Sequence, residues 1–66
     1  MFRTIIIDAL KAKYLGDIEV ARANIAIYLE NASGIGEHSK VLEAVDEQVG
    51  FMASALEKLA VIKDQL

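Results

Sequence analysis

Cysteine and proline are both missing from this chain of 66 residues. Without cysteine there is no disulfide staple and no thiolate metal site. Without proline no residue forces a break inside a helix. A single histidine, His38, leaves too little for a structural zinc. Aromatic residues are only 6% of the chain and include no Trp, and no Arg is interleaved with them to make a base-stacking platform. Positive charge is also sparse. Seven basic residues stand against ten acidic ones, for a net charge of −3. Arg3, Lys11, Lys13, Arg22, Lys40, Lys58 and Lys63 are scattered along the chain. Nucleic-acid binding needs concentrated positive charge to displace counterions, so no nucleic-acid partner is expected.

Long apolar runs are missing too. The longest stretches free of Asp, Glu, Lys and Arg are 48–56 and 23–29. Both fall far short of the roughly 20 apolar residues that span a bilayer, so no membrane partner is expected. Three isoleucines, Ile5 to Ile7, are cut off by Asp8, and no small-residue cleavage site follows an apolar core as in a signal peptide. The chain is expected to be intracellular and soluble.

What is present is apolar surface at helical spacing. Hydrophobic residues make up 55% of the chain. A domain this short buries a small core, and with disulfides and zinc excluded, oligomerisation is the remaining aid to stability. In the second half, Leu42, Val45, Val49, Met52, Leu56, Leu59 and Leu66 recur at steps of three and four, with Lys63 filling the one missing slot. This 3-4 repeat predicts a long helix with a seam facing another helix. A charge placed in that seam, as in Leu56→Asp, is expected to abolish folding. The apolar arc is wider than the seam and takes in Val41, Ala44, Phe51, Ala53, Ala55, Ala60 and Ile62, more than one partner helix covers.

The first half is apolar on two sides. The bulky face holds Ile7, Leu10, Tyr14, Ile18, Ala21, Ile25, Tyr28 and Leu29. The smaller face holds Ile5, Ala9, Ala12, Gly16, Val20, Ala23 and Ile27. Either face suits the hairpin contact, and the other is left as an interaction surface. The only loop-like segment lies between the halves and contains Gly34 and Gly36. Gly34 suits the residue past a helix end, with Ile35 folding back toward Leu29. The prediction is therefore all-α: a helix over about 2–31, a loop over about 32–38, and a helix over about 39–65, capped by His38 or Ser39. The short loop makes the arms antiparallel. The hairpin is expected to self-associate, most simply as a two-fold dimer forming a four-helix bundle. The interface residues, for hairpin or oligomer, are Ile7, Leu10, Tyr14, Ile18, Ile25 and Tyr28 together with the seven seam residues.

Chemistry is thinly represented. Gly34-Ile35-Gly36 lacks the third glycine, the strand and the lysine of phosphate-binding loops, and reads as a turn. His38 beside Glu37 has no partner or pocket to make it an acid–base catalyst. Glu43, Asp46 and Glu47 make an acidic turn, but the Glu-x-x-His of di-iron bundles is missing and the turn reads as a solvated edge. Tyr14 and Tyr28 fit the core better than a ligand stack. No catalytic residue, metal or cofactor is predicted. Three roles remain open: a structural or interaction module, a regulatory binder using an apolar helix face against a host protein, and, last, a metal-dependent enzyme on the carboxylates of the second helix.

The segment Ile27-Tyr28-Leu29-Glu30-Asn31, followed by Gly34-Ile35-Gly36-Glu37-His38 and Val41-Leu42-Glu43-Ala44-Val45-Asp46, resembles short helical proteins encoded by tailed marine cyanophages and seen in marine metagenomes. Ile7-Asp8-Ala9-Leu10-Lys11-Ala12-Lys13 and Leu56-Glu57-Lys58-Leu59 share the likeness, which extends over nearly the whole chain. The junction between the helices is its most specific part. That family often has Pro where Ser39 stands here, which would make His38 the cap. The resemblance brings no activity or catalytic residue. It implies a small phage accessory or structural protein acting in the host cytoplasm or the virion, with a host or virion protein as a possible partner.

Overall fold

The computed structural model describes residues 1–31 and 38–66, with the side chains of His38 and Ser39 left out of the description. Two helices pack against each other as a hairpin: α1, Phe2–Asn31, and α2, His38–Gln65. The expected contact of Leu29 with Ile35, and the turn at Gly34, lie outside the described residues. So does the choice of cap between the side chains of His38 and Ser39. With α2 starting at His38, Glu43 is not in its first turn, which holds no acidic residue. Glu43 therefore gains little from the positive end of the helix dipole, whose effect fades beyond the first turn. Lys63 sits in the last turn, at the negative end of the dipole.

The backbone ladder runs almost to both ends. Ile5 N–H donates to Met1 C=O, and Leu66 N–H donates to Ile62 C=O. At the end of α1 the Asn31 side-chain amide donates to the Ile27 carbonyl at 2.9 Å, a local bond that competes with further helix.

The contact between the helices is a heptad seam. On α2, Val41, Val45, Gln48, Met52, Ala55, Leu59 and Ile62 are shielded at alternating steps of four and three, with Ala44 half-buried beside them. On α1 the shielded series is Ile7, Leu10, Tyr14, Asp17, Ala21 and Asn24, reinforced by Ile18 and Ile25. Such steps keep a seam facing one partner along the whole helix. Among the described residues, Ile18, Ala21, Ala55 and Ile62 are the buried apolar ones. Two of them are alanines, one on each helix. The result is a rod with extents of 53 × 16 × 11 Å. Its radius of gyration is 15.4 Å, against about 11 Å for a globular chain of this length.

Candidate interaction surface

The bulky face of α1 is the hairpin contact. Ile7, Leu10, Tyr14 and Ile25 are half-buried, and Ile18 and Ala21 are buried. Tyr28 lies at the edge and Leu29 is exposed. The smaller face, including Ile5, Ala9, Ala12, Gly16, Val20, Ala23 and Ile27, is left exposed.

On α2 the predicted seam divides. Val45, Met52 and Leu59 are half-buried against α1. Leu42, Val49, Leu56 and Leu66 are not in the hairpin contact: Leu42 is 72% exposed and Leu56 53%. The hairpin instead uses the stripe one residue earlier, Val41, Gln48, Ala55 and Ile62. Leu56→Asp therefore places its charge in solvent, and the reason for expecting it to abolish folding does not hold for the hairpin.

Sequence reasoning missed a polar pair inside the seam. Gln48 is buried, and its Oε1 accepts a hydrogen bond of 3.1 Å from Asn24 Nδ2. A glutamine in an apolar window carries no signal of burial unless its cross-helix partner is known. The bond satisfies two groups whose burial would otherwise be costly, and it fixes which level of α1 faces which level of α2. Further along the seam, Tyr14 has the Lys58 Nζ 5.5 Å and the Lys13 Nζ 5.7 Å from its ring centroid. The Lys58 contact bridges the helices. Arg3 Nη2 donates to the Leu66 carbonyl, tying the start of α1 to the end of α2. The ion pairs Lys13–Asp17 and Glu19–Arg22 lie within one turn of α1 and are largely exposed, so they contribute little.

Two broad faces flank the seam. One carries a groove of about 310 Å³ with Ala21 and Ala55 in its floor, Val20 and Phe51 on its apolar walls, and Asp17 and Lys58 among its polar lining. The other carries Leu42, Val49 and Leu56, seven residues apart on α2, beside Leu15 and Leu29 on the α1 edge away from Val20. Glu43, Asp46 and Glu47 are exposed. Among the described residues no three His, Cys, Asp or Glu side chains group closely enough to hold a metal ion. Nor, among them, is any helix long and apolar enough to cross a membrane. Comparison with protein families, curated proteins and solved structures gives no match.

Proposed function

We propose that this chain is a self-associating helical interaction module with no catalytic activity, acting through helix–helix contacts as a four-helix bundle of two hairpins. Exposed area carries this reading. A compact folded chain of 7.2 kDa exposes about 4,100 Å². This one exposes 5097 Å², an excess of about 1,000 Å². A single layer of two helices shields only one stripe on each, and the residues left out include Leu42, Phe51, Leu56, Val20 and Ile27. An excess of this size is close to the roughly 800 Å² each partner gives a standard interface. The likeness to tailed cyanophage proteins supports a phage accessory or structural role, in the host cytoplasm or the virion.

Thermal melting across a hundredfold dilution tests the self-association. An oligomer that stabilises its own fold melts lower when dilute. A melting temperature that does not move with concentration would count against the module.

A second reading, a regulatory binder of a host protein, is favoured by the leucine stripe on the face away from the groove. Capture from host lysate should then be lost in Leu42→Asp/Leu56→Asp. Equal capture by both forms would remove this reading.

A further inference from the structure

The groove face is where a second copy docks: we infer that Phe51 of each hairpin seats in the groove of the other, over Ala55, about a two-fold axis. This rests on the self-association proposed above and specifies its geometry. The groove has room to receive a side chain, because the buried residues that line it are Ala21 and Ala55, too small to fill it, beside Gln48, whose amide is bonded to Asn24. Its volume of about 310 Å³ exceeds what one phenyl ring needs. Phe51 stands on the rim, 55% exposed, with Val20 61% exposed across from it. Knob and hole thus lie side by side on one surface, the arrangement an isologous contact requires. The charged rim does not oppose docking. Asp17 is already paired with Lys13 at 3.0 Å, and Lys58 is held over Tyr14.

Position along α2 also favours this contact. Seating Phe51 over Ala55 of the second copy, reciprocally, puts the axis at Ala53. The middle of α2 falls between Phe51 and Met52. The symmetric contact that buries both phenylalanines therefore overlaps almost the full length of both helices. The leucine stripe offers a shorter symmetric contact. An axis at Val49, which pairs Leu42 with Leu56, overlaps residues 38–60 of α2, against 41–65 for the axis at Ala53. An axis between Met52 and Ala53 restores the length but lays Lys63 against Leu42 of the second copy. The chain's excess exposed area of about 1,000 Å² matches the roughly 800 Å² such a contact takes from each partner.

Sedimentation equilibrium on the wild type, Phe51→Ala and Leu56→Asp, with helicity checked by circular dichroism, tests the assignment. Phe51→Ala should weaken dimerisation roughly thirtyfold, as loss of an anchor residue does. Leu56→Asp should leave it unchanged. A dimer that survives Phe51→Ala and is lost in Leu56→Asp overturns the groove contact and leaves self-association standing. A monomeric wild type overturns both. Because the chain has no cysteine, Ser54→Cys offers a check that leaves Phe51 intact. Ser54 lines the groove one turn from Phe51, so mild oxidation should link two copies covalently, and failure to cross-link at concentrations where the variant is dimeric overturns the geometry.

Discussion

At the scale of single residues, the two helical glycines and the buried polar pair make opposite demands. A Cβ built on Gly16 or on Gly50 meets nothing within 4 Å. Neither glycine is needed by the hairpin, and each costs its helix about 0.5–1 kcal/mol against alanine. Gly16→Ala and Gly50→Ala should each raise the melting temperature by a few degrees, measured by circular dichroism. A drop for either would mean that a neighbouring chain occupies the space. Gln48 behaves differently. Gln48→Ala leaves the Asn24 amide without its partner and should cost about 1–3 kcal/mol. Replacing both, as Asn24→Leu/Gln48→Leu, should recover most of that loss in chemical denaturation, because no unpaired polar group then remains. If the double variant is no more stable than Gln48→Ala, the pair does not account for the cost.

At the scale of the element, the two helices differ in how plainly they announce their packing. The bulky face of α1 is readable because Ile7, Leu10, Tyr14, Ile18 and Ile25 leave polar residues on both flanks. α2 is harder, since its apolar arc holds two stripes one residue apart, a rotation of about 100°. Hydrophobicity favours the stripe with Leu42, Val49 and Leu56. The hairpin buries the other, with Val41, Gln48, Ala55 and Ile62. Two facts decide it, and neither is visible in one helix alone. Ala21 and Ala55, a small buried residue on each helix, line one groove, and Gln48 bonds Asn24. The groove was equally hidden, because it exists only where small residues of two helices coincide. Truncations separate the stripes. Ile62→Ala should destabilise by about 2–4 kcal/mol. Leu42→Ala, at an exposed site, should stay within about 0.5 kcal/mol in the hairpin. Comparable losses from both in denaturant titrations would show that the stripe at Leu42 is buried in solution.

At the scale of the whole molecule, a rod of 53 × 16 × 11 Å with four buried apolar residues among those described has a thin core for independent stability. Both broad faces carry side chains that a second layer of helices would cover, and the groove with Phe51 beside it is the face shaped to receive one. The leucine stripe on the opposite face then remains as the surface for any further partner. Self-association is the claim on which the rest depends. Sedimentation equilibrium of the unmodified chain at micromolar concentration tests it most directly. The expected mass is twice 7.2 kDa, and a single folded species of 7.2 kDa with a cooperative melt would contradict self-association.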